Sequence, residues 1–519
     1  MIIRRSLTAA AMAMGLASTA FADVAWAEVA AAATAAGPVA KIKQGALRGT
    51  MVEGVETFLG IPYAAPPVGD LRWRPPAPGA SWTGERDAAK PGASCQPARD
   101  GTAIEDCLFA NVTRPAGAKP GAKLPVYVWI HGGGFTIGSA PAAFGAQTDG
   151  IQFAKEGIVT VSISYRLGRA GWFAHPALCK EGPCGNYGLM DQIAALKWVK
   201  ANIARFGGNP NDITIGGESA GGVSVLELML APDARGLFQK AIGESSFGRA
   251  EPRSMAEAQA SGLKAAEAAG VKGEDAAAAA ALRKVALSAM PYTEPFVSRA
   301  GPIVDGRYVL GGIAEGFAAG KQAKTPLLIG GNSYEASLFR PSPASVDALP
   351  ADQKAAALAA FDPKNAGDKQ RVANDMATRQ FITEPDRAIS RAQAKAGQPV
   401  YTYYFSYVTP AARTTGPGVW GAAHTAEIKF AFAGPKQQFA AADLPLAKAV
   451  NAYWAAFIKT GNPGAAGGPA WPKFAPSETF MEFGAEGPVA QDHFLKAQLD
   501  WQEARVKAGT SASPHEAPK

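Results

Sequence analysis

Residues 212–231, DITIGGESAGGVSVLELMLA, leave little choice about their surroundings. The first half reads as a short apolar strand and the second as an apolar helix, with no loop between them. Both halves are apolar almost throughout, so both are expected to be covered on most sides, as in a parallel sheet buried under helices. The junction is Gly217-Glu218-Ser219-Ala220-Gly221. Gly217 and Gly221 remove the β-carbons that would collide in so sharp a strand-to-helix turn, and Ser219 is left standing clear of the sheet edge. The helix that starts at the serine points its free N–H groups toward any anion formed there.

The remaining chain repeats the strand-then-helix order. Residues 124–132, 157–165, 240–245, 325–332 and 399–407 read as further strands. Residues 186–208 and 446–464 carry apolar residues at helical spacing and stop at glycines. This alternation predicts an α/β fold with a central, mostly parallel sheet flanked by helices. An alanine-rich stretch within residues 250–295 reads as a helical insertion between two strands, a cap over an active site rather than a plain surface helix. No repeat or long linker interrupts the pattern, so residues 28–508 are expected to form one large catalytic domain, followed by a disordered tail at 509–519.

Arg4, Arg5 and a short, mildly apolar stretch before Ala22 have the layout of an export signal over residues 1–27, with small-x-small cleavage sites after Ala22 and Ala27. No later segment reaches the roughly 18 apolar residues of a membrane helix. A secreted or periplasmic protein is therefore expected. Four cysteines, Cys95, Cys107, Cys179 and Cys184, suit that oxidising setting, with three possible pairings, and disulfides rank above a metal site. The net charge of +7 is spread along the chain, without a Lys/Arg-rich run, which argues against a nucleic-acid partner.

A second glycine cluster bears on the chemistry. WIHGGGF (129–135) ends the strand at 124–132 with three consecutive glycines. Acyl transfer to a serine needs N–H donors aimed where the tetrahedral oxyanion develops, each worth roughly 100- to 1,000-fold in turnover. Gly133 and Gly134 offer bare backbone N–H groups, and Ala220 a third.

These stretches, with FLGIPYAAPPVGDLRWRPP (58–76), EDCLFANV (105–112), SYRLG (164–168), GNYGLMDQIAALKWV (185–199), LLIGGNSYEASLF (327–339), AAHTAEI (422–428) and YWAAFIKTGNPG (453–464), resemble the type-B carboxylesterase and cholinesterase family of α/β-hydrolases from about residue 37 to 505. The resemblance implies a Ser219–Glu335–His424 triad with an oxyanion hole at Gly133, Gly134 and Ala220, and neither cofactor nor metal. The order nucleophile, acid, histidine of that fold agrees, because His424 is the first histidine after Ser219. Ala336 stands where the family usually has glycine after the acid, and Asp305, Glu384 and Asp386 are rival acids. The resemblance also implies a Cys95–Cys107 disulfide, salt bridges Arg72–Glu105 and Arg166–Asp191, and leaves Cys179 and Cys184 bonded or reduced.

The implied activity is hydrolysis of short- to medium-chain or aryl esters, with a small-molecule ester and water as partners. The short segment between Cys95 and Cys107 argues against choline esters. The basic net charge raises esters bearing carboxylate groups as an alternative. The family also contains non-catalytic adhesion proteins, which lose triad residues, and an acyltransferase would use the same residues with an alcohol as acceptor. Oligomeric state is not legible.

Overall fold

The computed structural model describes residues 37–95, 104–140, 142–143, 146–290 and 300–510. The expected export signal, the end of the tail and part of the helical insertion lie outside them.

The described residues build an eleven-stranded sheet. Its strands are β1 (Thr50–Val52), β2 (Val55–Pro62), β3 (Phe109–Pro115), β4 (Leu124–Ile130), β5 (Val159–Ile163), β6 (Gly208–Glu218), β7 (Lys240–Glu244), β8 (Leu327–Asn332), β9 (Val400–Phe405), β10 (Phe480–Gly484) and β11 (Gly487–Gln491). Their spatial order is β11-β10-β9-β8-β7-β6-β4-β5-β3-β2-β1. The seven strands from β10 to β5 run parallel. The flanking β11 and β3-β2-β1 are antiparallel. All six strands read from the sequence belong to this parallel centre.

Strand alternation explains why β4 looks uniformly apolar. Val126, Val128 and Ile130 enter one core layer with Ile213 and Ile215 of β6, under helices α1 (Tyr187–Asn202) and α2 (Ala220–Leu230). Tyr127 and Trp129 enter the opposite layer. Both faces are covered, so neither periodicity nor polarity breaks the run.

Between β7 and β8 lie helices α3 (Met255–Ala268) and α4 (Ala276–Leu282), within the expected insertion. The capping box of Ser254 and Glu257 starts α3. A two-residue parallel pairing of Arg253–Ser254 with Ile303–Val304 ties the two ends of this insertion together. A second helical block between β8 and β9, with α5 (Ala351–Phe361), α6 (Lys369–Thr378) and α7 (Glu384–Lys395), was not read from the sequence. Helix α8 (Leu444–Thr460) packs on the second face through Trp454 and Phe457.

Cys95 is bonded to Cys107 and Cys179 to Cys184. Arg166 and Asp191, both buried, form a bidentate pair at 2.8 Å. Arg72 and Glu105 pair at 2.6 and 2.5 Å. No helix among the described residues is long and apolar enough to cross a membrane.

Candidate active site

The site sits at the carboxyl ends of the parallel strands, where loops leave an open-sided sheet. β6 ends at Glu218 and α2 begins at Ala220, so Ser219 alone makes the turn, with φ 58° and ψ −122°. A non-glycine residue there is strained. Ser219 N–H donates to Glu244 O (2.9 Å), and its carbonyl accepts from Val223 N–H (2.9 Å), so the turn is held on both sides. The neighbouring glycines are required by contact. A β-carbon on Gly221 would lie 2.0 Å from Ile130 O, and one on Gly217 would lie 2.6 Å from both Ile130 O and Gly221 O.

Glu335 follows β8 and His424 lies on the loop beyond β9. Tyr334 and Ala423 form a bridge between those two loops, and Tyr334 N–H donates to Ala422 O at 2.8 Å. This brings His424 Nδ1 to 2.6 Å from Glu335 Oε2. The other carboxylate oxygen accepts from Asn332 N–H (2.6 Å) and Ser245 Oγ (2.5 Å), which fixes its plane. His424 N–H donates to Ser337 Oγ at 3.0 Å. The rival acids are engaged elsewhere. Asp305 accepts from the backbone N–H groups of Arg307, Tyr308 and Val309, and Glu384 pairs with Arg249. Asp386 is buried without a hydrogen-bond partner among the described residues.

Ser219, His424, Gly133, Gly134 and Ala220 line one cavity of about 480 Å³. Its other walls are largely apolar, with Phe135, Ile137, Val223, Phe247, Leu338 and Phe339 among them. Phe247 meets the His424 ring edge to face at 5.8 Å. Among the described residues, the N–H groups of Gly133, Gly134 and Ala220 have no acceptor, and Ser219 Oγ has no hydrogen-bond partner. The residues carrying these three donors and the hydroxyl thus border a common space. His131, next to the glycines, is buried, and burial lowers it to about 4 against the raising effect of its bond to Gly132 O. It is neutral at pH 7 and adds no charge beside the donors.

Three polar neighbours were not read from the sequence as parts of the site. Glu218 Oε1 lies 3.0 Å from His424 Nε2, at ion-pair distance but out of line for a hydrogen bond. Glu244 lies beside it and receives the Trp454 indole N–H at 3.0 Å. Ser245 steadies Glu335, as above. A signal for them existed: β7 ends in Gly243-Glu244-Ser245, repeating the Gly217-Glu218-Ser219 of β6, and the two strands pair Gly217 with Gly243 and Glu218 with Glu244.

The electrostatics follow from this crowding. Burial pushes the His424 imidazole down, but the Glu218 and Glu335 carboxylates outweigh it and hold the ring well above the ordinary histidine range. Burial raises Glu218, His424 draws it back, and Glu335 adds to the rise, leaving it above its usual range. Glu244 is pushed up to about 8, by burial and then by Glu218, against the lowering effect of the Trp454 bond. Burial and the surrounding carboxylates also raise Glu427 well above its usual value.

A parallel sheet with an antiparallel rim, a serine on a strand-to-helix turn and a histidine–carboxylate pair beside it define an α/β-hydrolase. The carboxylesterase family profile matches residues 36–501, and the chain belongs to that family. It is 36% identical over 489 residues to the fumonisin B1 esterase of Sphingopyxis macrogoltabida, covering 86% of each chain. It is 31% identical over 526 residues to the human cocaine esterase, covering 90% of this chain and 92% of the relative. Among solved structures it is similar to a carboxylesterase of Geobacillus stearothermophilus, with TM-score 0.77, 32% identity, and coverage of 89% of this chain and 99% of the other. The protein is thus a carboxylesterase, an enzyme of ester hydrolysis.

Proposed function

We propose that the enzyme cleaves short- to medium-chain or aryl carboxylic esters through an acyl-enzyme on Ser219, with His424 as base and Glu335 as its partner. The observation that carries this reading is the 2.6 Å contact of Glu335 with Nδ1 of His424, which lines the cavity together with Ser219, Gly133, Gly134 and Ala220. Glu335 accepts a hydrogen bond from Nδ1–H, which leaves the proton-accepting lone pair on Nε2, the nitrogen that lies 3.0 Å from Glu218 Oε1. Ser219 Oγ attacks the ester carbonyl carbon while its proton passes to His424 Nε2. The displaced π electrons settle on the carbonyl oxygen, which Gly133, Gly134 and Ala220 N–H stabilise. Collapse expels the alcohol, which takes the proton from Nε2. Water then attacks the acyl-enzyme, giving its proton to His424, and Ser219 is regenerated with release of the carboxylic acid.

The test is hydrolysis of p-nitrophenyl butyrate by the enzyme and its Ser219→Ala variant. Turnover by the first alone is expected, and equal turnover by both would place the nucleophile elsewhere. A second reading is cleavage of fumonisin B1 or other esters bearing carboxylate groups. The match to the fumonisin B1 esterase and the presence of Arg253 in the cavity lining support it. Following ester loss from fumonisin B1 by mass spectrometry tests it, with no loss rejecting it.

We also propose that residues 1–27 are an export signal and that residues 28–508 form a single catalytic domain of a secreted or periplasmic protein. Both disulfides support an oxidising destination. N-terminal sequencing of the exported protein, starting after Ala22 or Ala27, tests it.

A further inference from the structure

Ser219, Val223 and Glu227 are spaced four residues apart and follow one face of α2, and all three line the cavity. The first two suit an esterase with an apolar pocket. Glu227 does not: it is 1% exposed, and its Oε2 has no hydrogen-bond partner among the described residues. A carboxyl group desolvated this far is costly unless something completes its hydrogen bonding. Among the described residues no basic side chain is paired with it, and the Asp305 carboxylate acts on it electrostatically. We propose that Glu227 is a specificity-determining residue. Its neutral carboxyl donates a hydrogen bond to an oxygen acceptor, a hydroxyl, carbonyl or carboxylate, on the chain of the ester that fills the α2 side of the cavity.

The protonation state required is the one its surroundings favour. Burial, reinforced by Asp305, raises Glu227 to about 8, so the acid form prevails at pH 7. Reach sets the substrate's length. Eight residues of helix separate Glu227 from Ser219 by about 12 Å between α-carbons. A helical side chain leans toward the helix N-terminus, which shortens the gap to the span of a chain of about six or seven atoms. The preferred ester thus carries an oxygen function about that far from the scissile carbonyl, with apolar atoms between them against Val223. Such a site favours the oxygenated chain and penalises its methyl isostere, which leaves the buried carboxyl unpaired.

The proposal rests on the Ser219 reading of the reaction and is tested by ratios, so the two fail separately. Two isosteric pairs serve as probes: p-nitrophenyl 6-hydroxyhexanoate against heptanoate for the acyl side, and 5-hydroxypentyl against hexyl butyrate for the alcohol side. For each pair kcat/KM is measured in the wild type, Glu227→Met and Glu227→Gln. The wild type is expected to favour the hydroxyl member of one pair by about tenfold relative to Glu227→Met, the size of one buried hydrogen bond. Glu227→Gln retains an N–H donor and is expected to keep most of that preference. Equal ratios in wild type and Glu227→Met for both pairs would overturn the proposal. So would a larger Glu227 dependence for p-nitrophenyl 6-aminohexanoate than for the hydroxy ester, since that would mean an ionised carboxylate receiving a cation. Equal turnover of these esters by wild type and Ser219→Ala would instead refute the serine reading, whatever the ratios.

Discussion

Gly221→Ala is the substitution whose consequence can be worked furthest. The residue is helical and not among those with positive φ, so alanine is allowed by its backbone. The obstacle is position: the new β-carbon would lie 2.0 Å from Ile130 O and 3.0 Å from His131 O. A carbon–oxygen contact needs about 3.3 Å, so the two segments must part by about 1.3 Å. Ile130 cannot retreat, because it pairs with Ile163 of β5 on one side and Gly217 of β6 on the other. The start of α2 must move instead, taking Ser219 and the Ala220 N–H away from His424 and from Gly133 and Gly134. A displacement of about 1 Å in a positioned nucleophile costs about 100-fold in rate. Overpacking costs roughly 1–3 kcal/mol, of which alanine's helix propensity returns about 1. The expected variant is folded, at most about 2 kcal/mol less stable by denaturant unfolding, and about 100-fold slower in single-turnover acylation by p-nitrophenyl butyrate. Acylation within about threefold of wild type at unchanged stability would show that β4 and α2 are not locked together at this contact.

Other expectations follow from the same geometry. Since His424 is held well above the ordinary histidine range, the acidic limb of kcat/KM should lie above pH 6.5, and Glu218→Gln should move it to lower pH; an unmoved limb refutes the Glu218 contribution. Glu335→Gln should lower kcat by roughly 10³- to 10⁴-fold through loss of the tautomer, whereas Asp386→Asn should leave it within about threefold; similar losses in both would misassign the acid. Ser219→Gly should abolish turnover yet raise stability by about 1 kcal/mol, because glycine accepts φ 58° without strain; a less stable variant would deny that the elbow stores strain. Glu244 rises to about 8 on folding, so the native state holds more protons than the unfolded chain from about pH 4.5 to 8 and loses stability as pH climbs through that window. Glu244→Gln should flatten melting temperature against pH there, and an unchanged slope would refute it.

Six of the seven strands of the parallel centre were legible as apolar runs, whereas β10, broken by Glu482, was not. Nor were β2 and β3, since Glu56 and Arg114 interrupt their apolar runs and are buried where they pair with each other. That pairing spans 58 residues, beyond the range of any local pattern. The α5–α7 block was missed for a related reason: α7 is rich in charge, and its Arg387 is buried through Asp500 and Glu503 of the last described helix, partners that periodicity cannot see.

The site divides along the same line. Ser219 and the glycines at 133 and 134 were legible because the backbone itself must be unusual there, and glycine spacing records that. Glu218, Glu244 and Ser245 look like ordinary polar residues at strand ends. What sets them apart is that β6 and β7 lie side by side and in register, which superimposes their two Gly-Glu-Ser endings. One ending places a hydroxyl at the cavity, while the other hydrogen-bonds the Glu335 carboxylate that contacts the His424 ring. Adjacent parallel strands end at the same level, so two short polar endings in neighbouring strands can serve one reaction centre, one at its surface and the other beneath it. Register, which no single stretch of sequence encodes, is what sets the second ending beside the first.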